Sequence, residues 1–299
     1  MIARIIQIPA IYLSAGSRGV LLMLISVALF SANCLIVKYL GERGDVSFWA
    51  VNFYRGLAGT ALAVFFAGAN ARQISRVFTR PMLIFRGILG GVALAMFYVT
   101  VFNMDLGTAS VINLTYVLWG SLFAAFLLKE RLGPVQMLGL AIAFAGIPML
   151  CGFSIEGVGI YHLIALGGAI GAGIIVVMIR FLTRTESTTT IYAAQAIYGM
   201  LVAIPFITFV DLVPGWMPLA LMLFAGCLVA GGQMVMTMSY QTLPVAQGAS
   251  IQLLLPVLNT LGAVAFFAEA YTLVQIAGGS LILLGSAAVI RAKAKPKSA

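Results

Sequence analysis

The amino-acid sequence predicts an all-α membrane protein with ten transmembrane helices, and three observations support this prediction. Only 8% of the 299 residues are charged and 62% are hydrophobic, whereas about 25% of the residues in a soluble domain are charged. Apolar stretches long enough to cross a bilayer recur from one end of the chain to the other. The short connectors between them hold nearly all of the charge. These features exclude a water-soluble fold, a disordered chain and a disulfide scaffold.

Ten segments meet the length requirement for a membrane span, which is about 20 predominantly apolar residues. Backbone polar groups inside a bilayer must be satisfied within each segment, so the segments are expected to be helices. The connectors are too short to hold a separate domain. The predicted spans cover residues 18–40, 47–68, 82–103, 107–128, 134–153, 160–182, 189–210, 216–240, 245–268 and 272–291.

The distribution of Lys and Arg predicts the orientation, because cytoplasmic loops of membrane proteins are enriched in these residues. With the N-terminus on the inner side, only Lys38, Arg43 and Arg55 of the 17 basic residues fall in the outer half. The others, Arg80 and Arg86 among them, fall on the inner side. The net charge of +9 then reflects this bias and does not indicate a nucleic-acid partner. We expect a bacterial-type inner-membrane protein with both termini in the cytoplasm.

An internal repeat relates the two halves of the chain. It emerges when residues 108–147 are aligned with residues 247–286, an offset of 139. The repeat unit contains five helices, residues 18–153 and 160–291, and this odd number places the two copies in opposite orientations. Inverted repeats are typical of alternating-access transporters, whose substrate site lies near the middle of the membrane. The most informative matches are Glu130/Glu269, Val135/Val274, Gln136/Gln275, Gly139/Gly278 and Gly146/Gly285.

These features resemble the ten-helix EamA branch of the drug/metabolite transporter superfamily, over about residues 18–291. The resemblance implies a carrier of amino acids, purines, vitamins or other small metabolites, often in the outward direction. The family's pattern has a proline in helices 4 and 9; here Pro256 occupies the second position and Val117 the first. The residues that carry the resemblance are Leu128, Lys129, Glu130, Arg131, Leu132, Gln136, Met137, Leu138, Gly139 and Gly146, the second-copy residues Phe267, Ala268, Glu269, Gln275 and Gly278, and Asn52, Phe53, Tyr54 and Arg55.

Arg55 is the charge predicted to lie deepest within a span. It falls about 12 Å into the second helix at about 1.5 Å per residue, and Asn52 shares its face. An arginine at this depth faces protein or a water-filled cavity. It either holds a substrate carboxylate or phosphate or forms a structural contact with Asp45, Asp105 or the carbonyl groups at a helix end. Lys38 is either a second substrate-binding cation or a side chain that snorkels to the interface.

Helices 4 and 9 carry a second group of candidate substrate-binding residues. Asn113, Tyr116 and Trp119 lie on or beside one stripe of helix 4, and Gln252 and Asn259 lie on one stripe of helix 9. The repeat maps Asn113 onto Gln252, so both copies present an amide at one equivalent position. We expect these side chains to line the substrate cavity; the alternative is hydrogen bonding between helices.

Four more polar residues complete the candidate substrate-binding set, each from a different predicted helix. Each has the same alternative, a packing or interfacial role. They are Asn33, Tyr98, Gln195 and Gln233.

No feature of the sequence indicates catalysis, a metal or a cofactor. There is one histidine, the three cysteines are far apart, and no Gly-rich phosphate-binding motif occurs. No acid lies deep in a predicted span, which disfavours the exchange of protons for cationic drugs by a buried glutamate. We therefore expect a protein that is not an enzyme.

The expected function is secondary transport of small metabolites by alternating access. The preferred substrates are amino acids with apolar or aromatic side chains, and the preferred direction is export. Two alternatives stay open: uptake or exchange of nucleotide-like or other anionic metabolites, and a non-catalytic lipid-handling or assembly role. The expected partners are the substrate and the lipid bilayer, with a homodimer left open.

Overall fold

The computed structural model describes residues 14–44, 46–103, 112–128, 133–151, 159–207, 215–267 and 271–291. Helices account for most of these residues, and no strand occurs among them. A 3-10 helix covers Gly68–Phe78. The longer α-helices are α1 (Ala15–Arg43), α2 (Phe48–Ala67), α3 (Pro81–Asn103), α4 (Tyr116–Leu127), α5 (Pro134–Cys151), α6 (Ile160–Leu182), α7 (Thr188–Ile207), α8 (Trp216–Ser239), α9 (Val245–Gln252), α10 (Leu254–Phe267) and α11 (Leu273–Arg291).

Local sequence signals set several helix ends. The side chains of Ser14 and Ser47 cap α1 and α2 by accepting hydrogen bonds from backbone N–H groups in the first turn, which have no partner within the helix. Gly44 ends α1 in the left-handed conformation, with φ of 73°, which glycine adopts without a steric penalty. Pro81 and Pro134 occupy the first positions of α3 and α5, where a missing N–H costs nothing.

Most of the predicted spans appear as helices of sufficient length. Among the described residues, six helical segments are long and apolar enough to cross a membrane, with α9 and α10 together counted as one. A seventh is a pair bent by 72°, in which part of the 3-10 helix joins α3. Three shorter apolar helices cover Ile112–Ala124, Pro134–Leu150 and Leu273–Val289. Each predicted span contains a described helix; the crossing of the membrane by all ten stays a prediction.

The connector predicted between the second and third spans is a structured element. Residues Gly68–Phe78 form the 3-10 helix, in which Ile74 and Val77 are buried. The Tyr198 hydroxyl of α7 donates a hydrogen bond of 3.4 Å to the Val77 carbonyl. The segment is ordered because its apolar side chains have a helix surface to cover.

The chain divides into two compact units. The first contains the residues up to Gly91 together with Ile179–Leu243, and the second contains Val92–Met178 and the residues from Pro244 onward. Helix α3 contributes its beginning to the first unit and the rest to the second.

In the first unit, α1 packs against α8 and α2 packs against α7. Two buried serines join α1 to α8: Ser26 Oγ donates to the Gly232 carbonyl and Ser239 Oγ donates to the Gly19 carbonyl, each at 2.8 Å. The order of these contacts shows that the two helices are antiparallel. The bonds give each hydroxyl a partner inside an apolar interface.

In the second unit, α5 and α11 form the tightest described helix pair. A Cβ added to Gly139 would lie 2.8 Å from the Gly285 carbonyl oxygen, and one added to Gly146 would lie 2.4 Å from that of Gly278. The backbones therefore touch directly, which only small residues permit. The contacts are also reciprocal, because the sequence repeat pairs Gly139 with Gly278 and Gly146 with Gly285.

The fourth and the ninth predicted spans are each interrupted once, and the two interruptions lie at nearly equivalent positions of the repeat. Leu253 separates α9 from α10, three residues before Pro256, which cannot continue the hydrogen-bond ladder. Thr115 forms a turn just before α4, where no proline follows. There the Ile112 carbonyl accepts from the Thr115 backbone N–H at 3.1 Å and from the Thr115 hydroxyl at 2.6 Å, a turn of the 3-10 type.

Candidate functional site

The first unit contains a buried arginine in contact with a neutral amide. Arg86, in the second turn of α3, is 1% exposed. Its Nη2 donates a 2.6 Å hydrogen bond to Oε1 of Gln195 on α7. Its Nε and Nη1 are buried and have no hydrogen-bond partner among the described residues, and no ion pair joins Arg86 to any of them.

Three glycines of α3 allow this contact by bringing the helix onto α7. A Cβ at Gly87 would lie 2.7 Å from the Ala194 carbonyl oxygen, and one at Gly91 would lie 2.9 Å from Val202. A Cβ at Gly90 would lie 2.8 Å from the Arg86 Nη1 itself. The guanidinium thus lies along its own helix, beside the open space at Gly90.

Asn52 lies where α2 packs on α7, and Arg55 lies where α2 packs on α8. Asn52 is buried, and its Nδ2 donates a 3.5 Å hydrogen bond to the Gly199 carbonyl. Arg55 is half-buried, and a Cβ added to Gly226 of α8 would lie 3.0 Å from its Cα. Asp45 and Asp105, the acids considered as structural partners of Arg55, lie outside the described residues.

The second unit brings Tyr116 and Gln252 together. The Tyr116 hydroxyl of α4 donates a short hydrogen bond to Oε1 of Gln252 at the end of α9. Gln252 is buried. Trp119, one turn beyond Tyr116, stacks on Phe123 with ring centroids 6.3 Å apart. The unit therefore contains a hydroxyl–amide pair with a large aromatic ring close to it on the same helix.

Asn113 and Asn259 are both half-buried. The Oδ1 atom of Asn259 is buried and has no hydrogen-bond partner among the described residues. An unpaired amide oxygen in an apolar interior has a free-energy cost, so it is suited to accept a donor from a ligand or water. The sequence predicts that Asn113, Trp119, Gln252 and Asn259 line a cavity, and in the structure each of them is buried or half-buried.

The remaining candidates fall in both units. Asn33 is buried, and its Oδ1 has no hydrogen-bond partner among the described residues. Lys38 and Gln233 are half-buried, and the Gln233 carbonyl accepts 2.8 Å from the Thr237 hydroxyl. Tyr98 belongs to α3, but its side chain lies outside the described residues. The substrate-binding roles of these residues stay predictions.

Arg86 is the polar residue whose environment the sequence analysis missed. It was placed with the inner-side basic residues, but it is buried within α3 and bonded to α7. Two features of the sequence could have indicated this. The residue lies inside the predicted span 82–103, and Gly87, Gly90 and Gly91 follow it directly.

No group of three or more His, Cys, Asp or Glu side chains that could hold a metal ion occurs in the described ranges. The acids within these ranges are Glu42, in the last turn of α1, and Glu186, in the turn after α6. Glu186 pairs with Arg76 at 3.1 Å. Buried arginine, amide and hydroxyl groups are therefore the polar chemistry of the helix interiors.

This arrangement of long apolar helices with isolated buried polar groups defines a multi-pass membrane protein. The EamA-like transporter family matches the chain twice, over residues 17–151 and 159–291. The chain belongs to this family, and it is a transporter rather than an enzyme.

Three individual proteins extend the comparison. The chain is 26% identical over 277 residues to the pseudopaline exporter CntI of Pseudomonas aeruginosa, in strain UCBPP-PA14 and in strain PAO1. These alignments cover 92% of this chain and 96% of each exporter. One solved crystal structure matches with a TM-score of 0.77 and 21% identity, covering 90% of this chain and 95% of the other. That likeness shows the fold alone.

Proposed function

We propose that this transporter exports small zwitterionic metabolites across a bacterial inner membrane, with apolar and aromatic amino acids as the preferred class. The observation that carries the proposal is the hydrogen bond between the partly buried Tyr116 and the buried Gln252, beside Trp119. A hydroxyl, an amide and an indole ring can recognise a neutral or zwitterionic molecule with an apolar side chain. The described helix interiors contain no carboxylate that would select a cationic drug.

The direction of transport is proposed from the relatives. The two Pseudomonas proteins are exporters of pseudopaline. They align with this chain over nearly their whole length, so a shared direction is more economical than a reversal. Their substrate is a property of those proteins and is one compound for the transport assay.

An inverted repeat of two five-helix halves is part of the proposal. Three observations support it: the two family matches, the reciprocal glycine contacts between α5 and α11, and the interruptions at equivalent positions before α4 and α10. In this scheme the helices of each half rock during alternating access, α5 and α11 act as a brace, and both termini are cytoplasmic. A homodimer belongs to the same proposal and is tested by the mass of the protein–detergent complex.

The test is transport into proteoliposomes that contain the purified full chain. The panel holds labelled phenylalanine, leucine, lysine, glutamate, a nucleoside and a nucleoside monophosphate, together with pseudopaline. We expect saturable flux of phenylalanine and leucine, and Arg55→Ala should reduce it if Arg55 holds the carboxylate. Flux of no zwitterion in the panel would contradict the proposed substrate class.

Uptake or exchange of a phosphate-bearing, nucleotide-like metabolite is the second candidate. It is favoured by the half-buried Arg55 and the buried Arg86 of the first unit, because Arg binds phosphate as well as carboxylate in a bidentate manner. The same panel separates the candidates: the second predicts flux of the nucleoside monophosphate and none of phenylalanine. A lipid-handling or assembly role predicts no flux of any compound.

A further inference from the structure

We propose that Arg86 and Gln195 form a carboxylate-binding site in the first unit, which takes the carboxylate of the transported zwitterion. The inference rests on the proposed function and names the group that recognises the anionic end of the substrate. It is carried by the burial of Arg86, by its single neutral partner and by the glycine that makes room for it.

The first step in the argument is the uncompensated charge. Arg86 is 1% exposed, and the described part of the chain supplies one hydrogen bond, from a neutral amide. A guanidinium carries five N–H donors and does not lose its proton in proteins. Burial of such a charge without an opposite charge is strongly unfavourable. A protein that needed only a helix contact here would be more stable with an apolar residue, so the charge indicates a ligand of opposite sign.

The second step is geometric. The Gln195 amide holds Nη2 at 2.6 Å and leaves Nε and Nη1 without a partner. Nη2 carries a second N–H, so this nitrogen together with Nε or with Nη1 can donate to two oxygens of one anion, which is the fork geometry of arginine–carboxylate pairs. Gln195 fixes the guanidinium without neutralising it. Gly90 leaves the space in which Nη1 lies, because a Cβ there would approach it to 2.8 Å.

The third step selects the kind of anion. The site offers one positive charge and one neutral amide, which match the single negative charge of a carboxylate. A phosphate monoester carries about −1.5 to −2 charges at neutral pH, so its excess charge would remain buried and uncompensated. The geometry therefore points to a carboxylate, and phosphate becomes an outcome of the test.

The position of the pair fits an entry point for an exported substrate. Arg86 lies about 8 Å along α3 from Pro81, and the exposed Arg80 just precedes this helix. Helices α3 and α7 begin on the same side, because Gly87 contacts Ala194 and Tyr198 while Gly91 contacts Tyr198 and Val202. The charge distribution predicts that this side is cytoplasmic. A substrate leaving the cell would reach this pair from the side on which α3 and α7 begin.

The experiment measures binding of labelled L-phenylalanine to the full chain in detergent, in wild type, Arg86→Gln, Arg86→Lys and the matched control Arg80→Gln. Arg80 is exposed and precedes α3, so its loss removes a nearby charge without touching the pair. We expect Arg86→Gln to weaken binding about 10- to 100-fold, the loss of a charge-assisted bond. Arg86→Lys should fall between Arg86→Gln and wild type because it keeps the charge and loses the fork. Unlabelled L-leucine should compete, and L-phenylalaninamide should not.

A second readout separates ligand binding from a structural role. Without ligand, Arg86→Gln should melt at the wild-type temperature or above, because an uncompensated charge has been removed. A lower melting temperature, with phenylalanine binding per folded molecule unchanged, would show a structural brace and overturn the inference. The inference would also be overturned if Arg86→Gln bound phenylalanine with the affinity of wild type. The same holds if inorganic phosphate raised the melting temperature of wild type and carboxylates did not.

Failure of the site and failure of the proposed function give different results. If wild type and Arg86→Gln transport phenylalanine equally, the site is wrong and the proposed function stands. The opposite case is that wild type transports no amino acid. If acetate then raises the melting temperature of wild type and of Arg80→Gln, and does not raise that of Arg86→Gln, the carboxylate site stands. The proposed substrate class then fails.

Discussion

Replacement of Gly278 by alanine tests the backbone contact between α5 and α11. The added Cβ would lie 2.5 Å from the Leu150 backbone nitrogen, 2.6 Å from the Gly146 carbonyl oxygen and 2.8 Å from the Met149 Cβ. Non-bonded carbon atoms prefer about 3.5–4.0 Å. Two of the three contacts are with backbone atoms, so a side-chain rotation cannot relieve them and the helices must separate by about 1 Å.

The matched control is Gly279→Ala in the same helix. There the added Cβ would meet only Leu150 Cδ1 at 3.7 Å, an ordinary contact. Both substitutions gain about 0.8–1.0 kcal/mol of helix propensity, and this gain cancels between them. An overpacked core loses about 1–3 kcal/mol. We therefore expect Gly278→Ala to be less stable than Gly279→Ala by about 1–3 kcal/mol.

The assay is thermal unfolding of the purified full chain in detergent. A titration with a denaturing detergent then ranks the free energies of unfolding of the variants. The unfolding temperature of Gly279→Ala should equal or exceed that of wild type. The unfolding temperature of Gly278→Ala should be the lowest of the three. Equal stability of the two alanine variants would refute the close α5–α11 packing. Gly285→Ala should lose a similar amount, because its added Cβ would also meet two backbone atoms, the Gly139 carbonyl oxygen and the Ala143 nitrogen.

Three further predictions concern the polar groups and the orientation. Tyr116→Phe removes the hydroxyl that bonds Gln252, so the free energy of unfolding should fall by about 0.6–1.5 kcal/mol and a double-mutant cycle with Gln252→Leu should show coupling; strict additivity would contradict the bond. In a cysteine-free background on intact spheroplasts, an impermeant maleimide should label Glu42→Cys and not Arg80→Cys, and the reverse result would invert the topology. Arg55→Gln tests the other intramembrane arginine: phenylalanine flux at limiting concentration should fall less than in Arg86→Gln, and a larger fall would assign the substrate carboxylate to Arg55.

The helices themselves could be predicted from the sequence because the bilayer imposes a simple requirement. A span must be long, apolar and internally hydrogen-bonded, so segments with these properties mark the helices without knowledge of their partners. The repeat alignment also identified the four glycines of α5 and α11. Their cross-pairing is a tertiary contact, and the structure was needed to reveal it.

Features that depend on neighbouring helices could not be predicted in this way. Arg86 follows the exposed Arg80 and resembles an inner-side basic residue until α7 is placed over Gly87 and Gly91. The interruption at Thr115 has no proline to mark it, because it is a short turn formed by backbone hydrogen bonds. In both cases contacts within the folded chain decide the outcome.

Counterflow in proteoliposomes tests the central claim, carrier-mediated transport of a zwitterion, most directly. Vesicles containing wild type, Arg80→Gln or Arg86→Gln are loaded with unlabelled L-phenylalanine and diluted into a trace of labelled L-phenylalanine. A carrier predicts transient accumulation of label above equilibrium in wild type and Arg80→Gln, and a much smaller accumulation in Arg86→Gln. Simple equilibration in wild type, no faster than in protein-free vesicles, would contradict the account.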